Sequence, residues 1–320
     1  MNVLIGGASG YVGSALLQQA LERGYHVTAL VRKKTASDQW QDHPRLRLHR
    51  ADFTDPLWAS GLPHHDALIS CIASRQGGVS DAWSVEYEAN HRLLQWAQDV
   101  GVGRFILLSA ICVQKPRLAF QRAKLAFEQE LLASEGSLEP TVIRPTAFFK
   151  SLSGQISRVS RGKPFLVFDG GLNTACKPIS TRDLAQFMLD RLEDSGSHGR
   201  VLPIGGPGPA ITPREQGELL ARLCGRKPVI RSLSSRWFDG AEAILNTAAG
   251  ISSWSRDKAE FARIAKYYAT ESMLVWDAHR SCYDESATPE TGSDTLGDFY
   301  QGVITRATSL DSSHHRLFGG

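Results

Sequence analysis

A chain of 320 residues has room for one large α/β domain, or for a nucleotide-binding domain with a smaller lobe attached. Its 42% hydrophobic and 22% charged residues exclude a disordered class, and a net charge of +3 is too small to argue for nucleic acid. Five scattered cysteines (Cys71, Cys112, Cys176, Cys224 and Cys282) suggest neither a disulfide framework nor a metal site, and read as free thiols in a reducing compartment.

The N-terminus runs straight into an apolar strand at Val3-Leu4-Ile5, which leaves no room for a signal or transit sequence. The expectation is a bacterial, cytoplasmic protein; no apolar run is long enough to span a bilayer, so any membrane contact would be peripheral. A helix is predicted from Tyr11 to Arg23, then strands at His26–Val31, Leu46–Arg50 and Asp66–Ile72. A helix over Trp83–Val100, a strand at Phe105–Leu108, a helix over Pro116–Ser134 and a strand at Pro140–Arg144 follow. Near-continuous apolar strands alternating with amphipathic helices imply a parallel sheet covered on both faces, with right-handed crossovers.

After Pro145 the alternation stops, and Gly, Ser and aromatic residues thicken through Gly171. Val201–Ile204 reads as a strand returning to the main sheet. Thr212-Pro213-Arg214-Glu215 is a capping box with proline at the first helical position, and Gly225 marks the stop. The expected division is a nucleotide-binding domain over 1–150 with the returning strand near 200–205, a substrate lobe over 151–305, and a flexible tail over 306–320.

Gly7-Ala8-Ser9-Gly10-Tyr11-Val12-Gly13 follows the first strand and opens the first helix, the setting in which a glycine pattern signals a dinucleotide site. The first glycine allows the tight turn, the second a close approach of backbone to pyrophosphate, and the third close packing of helix on strand. The phosphates then meet N–H groups at a helix N-terminus. The fold class is therefore α/β, a doubly wound parallel-sheet NAD(P)-binding Rossmann fold with a smaller C-terminal substrate lobe. The second strand ends Val31-Arg32-Lys33-Lys34, without the carboxylate that would bond an NAD ribose. Arg32 is suited to grip a 2′-phosphate, so NADPH is the expected cofactor. Asp52 and Phe53, after the third strand, are placed to contact adenine. Cys71, Ala73 and Ser74, after the fourth, would line the way to the nicotinamide.

The glycine spacing together with Lys124 resembles the short-chain dehydrogenase/reductase superfamily, in which a Tyr and a Lys four residues apart share one helix face. Here the pair reads Phe120-Gln121-Arg122-Ala123-Lys124. A phenyl ring has no proton to give, so the alcohol–carbonyl chemistry of that superfamily is not expected. Lys124 remains as the catalytic candidate, binding ribose hydroxyls and holding the nicotinamide. The plain alternative is an exposed helix lysine paired with Glu128.

A narrower resemblance covers most of the chain. The stretches Leu107-Leu108-Ser109-Ala110-Ile111-Cys112-Val113-Gln114-Lys115-Pro116, Phe120 to Lys124 and Arg144-Pro145-Thr146-Ala147-Phe148-Phe149-Lys150-Ser151-Leu152 are similar to the NADPH-dependent divinyl chlorophyllide a 8-vinyl reductases. So are Ala175 to Ser180, Val201 to Gly208 and Tyr267 to Met273. That family also carries phenylalanine where tyrosine is usual. The resemblance implies reduction of the 8-vinyl group of divinyl chlorophyllide a, or of divinyl protochlorophyllide a, to ethyl. It implies cofactor contacts from Ser109, Ala110, Pro145, Thr146, Ala147 and Phe148. A flat pigment calls for aromatic walls and a cationic anchor for its carboxylate. Phe120, Phe148, Phe149, Phe165, Phe168, Tyr267 and Tyr268 are candidate walls, Lys150 and Lys177 candidate anchors, and Cys176 a neighbouring thiol. Two other readings are a non-catalytic NADPH-sensing regulator and a reductase of a different conjugated alkene, as in isoflavone-reductase-like proteins. Oligomeric state is open.

Overall fold

A computed structural model describes the backbone of residues 1–32, 43–74, 77–238 and 253–316, and the side chains of all of these except 253–258 and 307–316. The strands are β1 (Asn2–Gly6), β2 (His26–Val31), β3 (Leu46–Arg50), β4 (Ala67–Ser70), β5 (Arg104–Leu108), β6 (Glu139–Pro145), β7 (Phe165–Phe168), β8 (Arg200–Ile204), β9 (Ile230–Leu233), β10 (Val275–Asp277) and β11 (Cys282–Asp284). The helices are α1 (Tyr11–Glu22), α2 (Val79–Ala82), α3 (Ala89–Asp99), α4 (Ala119–Leu132), α5 (Ile156–Ser160), α6 (Thr181–Asp190), α7 (Pro213–Leu223), α8 (Ser253–Thr270) and α9 (Leu296–Arg316). Between α2 and α3 the chain widens into a π-turn at Trp83–Glu88.

The chain divides into two compact units. The first holds Met1–Pro145, Thr181–Ile204 and the described part of 241–264; the second holds Thr146–Ser180, 205–238 and 265–316. The division falls at Pro145 and not at 150, and the first unit takes back α6 and the start of α8 as well as the returning strand. The expected tail is helical up to Arg316, as part of α9, and 317–320 lie outside the described residues.

In the first unit seven strands lie in the order β3-β2-β1-β4-β5-β6-β8, every pair parallel. The order reverses between β1 and β4, the switch point where open α/β sheets bind ligands beyond the strand C-termini. The β-branched and leucine runs of β1 and β4 are buried along almost their whole length, as strands covered on both faces must be. Leu4, Leu68, Leu93, Phe105, Phe127 and Val142 form one core, with the Phe105 and Phe127 rings 6.0 Å apart. Each such side chain contributes about 1.5–3 kcal/mol by leaving water.

The second unit has its own core of Phe149, Ile156, Val159, Phe165, Leu220, Leu296 and Tyr300. There β7 and β9 pair in parallel, and β10 and β11 form a hairpin ladder. The predicted capping box is present: Thr212 Oγ1 accepts from the Glu215 N–H, and Glu215 accepts from the Thr212 N–H at 2.8 Å. Burial pushes the Tyr300 phenol well above its usual range, and its hydroxyl donates to the Leu152 carbonyl at 2.9 Å.

Candidate functional site

Two backbone crossings fix the turn from β1 into α1. Gly7 has φ +72°, and a Cβ there would meet the Cys71 carbonyl at 2.6 Å. A Cβ on Gly13 would lie 2.2 Å from the Gly7 carbonyl oxygen, so the helix approaches the turn as closely as backbone allows. The Gly10 N–H donates to the Gly7 carbonyl at 2.9 Å, closing the turn. Gly10 then caps α1 without a side chain, and no acidic residue stands in the first helical turn. Tyr11 and Ser9 are exposed, whereas Val12 is buried beneath them. An uncapped helix N-terminus with no competing carboxylate is a seat for phosphate, and these residues fit an anionic dinucleotide.

Arg32 is exposed at the end of β2, and no ion pair engages it among the described residues; Lys33 and Lys34 lie outside them. Asp52 is exposed and half committed: its Oδ1 accepts from the Thr54 N–H at 3.0 Å and the Thr54 hydroxyl at 2.7 Å. Those bonds hold its carboxyl below the usual range. Phe53 is half-buried with its ring 4.9 Å from Trp58.

The fourth strand leads into the most densely bonded part of the site. Cys71 donates its N–H to the Gly6 carbonyl at 2.9 Å, and burial pushes its thiol up to about 12, the charge of Lys124 pulling the other way. Ala73 is exposed. Ser74 is fully engaged, its N–H donating to Glu86 Oε1 at 2.9 Å and its hydroxyl to Asp81 at 2.5 Å.

Lys124 is buried, and its Nζ lies 2.7 Å from Glu86 Oε2. The alternative of an exposed lysine paired with Glu128 therefore fails. Glu128 is itself 1% exposed and bound by Arg144, whose Nε donates to Oε2 at 3.1 Å, and by the buried Ser109 hydroxyl. Ala110 is half-buried beside it. Phe120, half-buried one turn before Lys124, supplies no polar atom. The start of α4 is fixed from two sides: within the helix Gln121 Oε1 accepts the Leu118 N–H at 2.9 Å, and from α8 Glu260 Oε1 accepts the Ala119 N–H at 2.7 Å.

Glu86, Arg144 and Glu260 are the polar residues to which sequence reasoning assigned no role. A carboxylate four residues after Lys124 was visible, but its true partner depends on the π-turn. That turn carries Glu86 into a site where it is 3% exposed. Widened turns of this kind often occur at functional positions.

The candidates in the second unit separate into buried and accessible groups. Thr146 is buried with its hydroxyl on the Lys177 carbonyl, and Phe148, half-buried, bridges to Ile179. Ala147 accepts the Ile179 N–H at 2.9 Å. Phe149 is not a pigment wall: it is 3% exposed and packs on Phe299, ring centroids 5.5 Å apart, within the core. Phe165 belongs to the same core, and the Phe168 ring lies 4.9 Å from Phe238. Lys177 is not a free anchor, because its Nζ is buried and held by Glu290 Oε1 at 2.5 Å. Cys176 is no reactive thiol: its backbone bonds to Ile211, and burial pushes its sulfur up to about 12. Tyr267 is 4% exposed, Tyr268 is 49% exposed, and their rings meet edge-on at 5.8 Å. Lys150 is exposed.

Residues 7–195 match the NAD(P)H-binding family model. The fold is also that of a UDP-glucuronic acid 4-epimerase from Bacillus cereus, with a TM-score of 0.70 at 16% identity, covering 97% of this chain and 100% of that one. The chloroplastic divinyl chlorophyllide a 8-vinyl-reductase of Oryza sativa subsp. indica is 45% identical over 317 residues, which is 94% of this chain and 78% of that protein. The enzyme of the same name from Arabidopsis thaliana is 41% identical over 320 residues, 95% of this chain and 77% of that protein. Both relatives are chloroplastic, which overturns the expectation of a bacterial cytoplasmic protein drawn from the N-terminal strand. Among the described residues no helix is long and apolar enough to cross a membrane. With identity at this level along nearly its whole length, the chain belongs to the divinyl chlorophyllide a 8-vinyl-reductase family.

Proposed function

We propose that this protein is an oxidoreductase that uses NADPH to reduce the 8-vinyl group of divinyl chlorophyllide a, or of divinyl protochlorophyllide a, to an ethyl group. The observation that carries the reading is the pairing of an intact dinucleotide turn with a half-buried Phe120 where a proton-donating tyrosine would stand, in a chain 45% identical to a reductase of that name. Bound NADPH would supply the hydride, and the second hydrogen of the new ethyl group would come as a proton from water.

The chain's own residues bind and orient. The α1 N-terminus receives the pyrophosphate, and Arg32 takes the 2′-phosphate that distinguishes NADPH from NADH. Lys124 offers its ammonium to the ribose hydroxyls, and Glu86 keeps that ammonium at one position, anchored in turn by the Ser74 N–H. Glu128, held by Arg144 and Ser109, fixes the face of α4 opposite β5 and β6. Phe120 gives an apolar edge and withholds a proton, which suits a substrate whose macrocycle spreads the developing negative charge. Phe120, Phe148, Lys150, Phe168 and Tyr268 are the pigment-contact candidates whose side chains are not buried.

Purified protein incubated with NADPH and divinyl chlorophyllide a tests the reading. The Soret absorption should shift to that of the monovinyl pigment as NADPH is consumed. Tight NADPH binding with an unchanged pigment spectrum would favour a cofactor-sensing regulator.

A further inference from the structure

In the second unit the parallel pairing of β7 with β9 sets two loop tips side by side: the Phe165 N–H donates to the Val229 carbonyl at 2.8 Å. One tip is Arg161-Gly162-Lys163; the other runs Gly225-Arg226-Lys227-Pro228-Val229 into Arg231. These stretches hold five cations and no carboxylate, in a chain whose net charge is only +3. All five are exposed, and no salt bridge engages them among the described residues.

The tips are built to stay together. Arg226 Nη2 donates to the Ser160 carbonyl at 3.0 Å, and its guanidinium lies where a Cβ on Gly162 would be 3.1 Å away, so a side chain there would press on it. Gly162 and Gly225 both have positive φ, at +78° and +63°. Between the tips is a cavity of about 330 Å³ floored by Val159, Phe165 and Ala221 and rimmed by Lys163, Arg226 and Lys227. Val229, at its edge, is 56% exposed. An apolar floor under a cationic rim matches an anion carried on an apolar stem. A layer of mobile headgroups can neutralise several unpaired cations at once, which a rigid acidic surface could do only with matched spacing.

We propose that these paired tips are a docking surface for a bilayer containing anionic lipid headgroups, placing the enzyme on the membrane without a spanning helix. Each cation near such a surface strengthens binding about fivefold, so reversing three of them weakens it by about two orders of magnitude or more.

The test is co-sedimentation of the full chain with phosphatidylcholine vesicles, with and without a large fraction of phosphatidylglycerol. Binding only to the anionic vesicles, reduced by salt and lost in Lys163→Glu/Arg226→Glu/Lys227→Glu, is the expected result. The milder Lys163→Glu/Lys227→Glu, which breaks no hydrogen bond described above, should lose most of the binding, with NADPH affinity retained in both variants. Equal binding to neutral vesicles, no binding to either, or full binding by the reversed variants would overturn the proposal. Inorganic phosphate occupying the cavity, with no vesicle bound, would reassign it to a free anion.

Discussion

Replacing Glu86 by glutamine keeps a carbonyl to accept the Ser74 N–H but takes away the charge facing Lys124. The two side chains are 3% and 10% exposed and 2.7 Å apart, so solvent cannot replace the lost partner. Breaking a buried pair from one side costs about 3–5 kcal/mol, because an uncompensated ammonium is left behind. Retention of the Ser74 bond places Glu86→Gln at the lower end, about 3 kcal/mol. Lys124→Met strands the carboxylate instead and should cost a similar amount, about 3 kcal/mol. In the double variant neither charge remains, and it should recover about 2 kcal/mol relative to the sum of the singles. Urea unfolding followed by circular dichroism measures all four corners without cofactor, and NADPH fluorescence titration then separates stability from binding. Glu86→Gln should weaken NADPH about tenfold, and the double variant should stay weak although its fold is restored. Additive stabilities within about 0.5 kcal/mol would refute the coupling. Recovery of NADPH affinity in the double variant would show that Lys124 does not serve the cofactor.

Other consequences are simpler to check. Arg32→Ala should weaken NADPH by about 1.5–3 kcal/mol and leave NADH unchanged, as read by isothermal titration; equal losses would reject the 2′-phosphate contact. Gly13→Ala drives a methyl to 2.2 Å from the Gly7 oxygen, so NADPH affinity should fall at least about tenfold, with about 1–3 kcal/mol of destabilisation. Phe120→Tyr should fold normally and still reduce no ketone; appreciable carbonyl reduction by that variant would contradict the reading of this position. The Cys176 thiol, raised to about 12 in the fold from a usual value near 9, favours the folded state fully below pH 9, a contribution that diminishes as pH rises toward 12. Stability should therefore decline across that window, and less steeply in Cys176→Ala.

The nucleotide half was legible because its determinants are local. Gly7, Gly10 and Gly13 sit where a strand hands over to a helix, and the apolar runs of β1, β2, β4 and β5 announce a doubly covered sheet without knowledge of any partner. Thr212 and Glu215 likewise carry their helix start within four residues. What stayed hidden depends on distant pairing. Lys177 looked like an exposed anchor because its partner, Glu290, lies 113 residues on. Phe149 looked like a wall because Phe299, which covers it, is remote in sequence. The π-turn at Trp83–Glu88 has no periodic signature, since helix and widened turn differ by one residue of register and tertiary demand decides between them. Glu86 was accordingly overlooked, and the more obvious Glu128 drew attention because it stands four residues from Lys124. The localisation error had a different source, an inference from a chain terminus to a compartment.

The most direct trial of the account follows the hydrogen itself. NADPH deuterated at the transferable position of its nicotinamide, incubated with the protein and divinyl chlorophyllide a, should place deuterium in the new 8-ethyl group, as read by mass spectrometry. Pigment that keeps its vinyl group, or an ethyl group formed without the label, would contradict it.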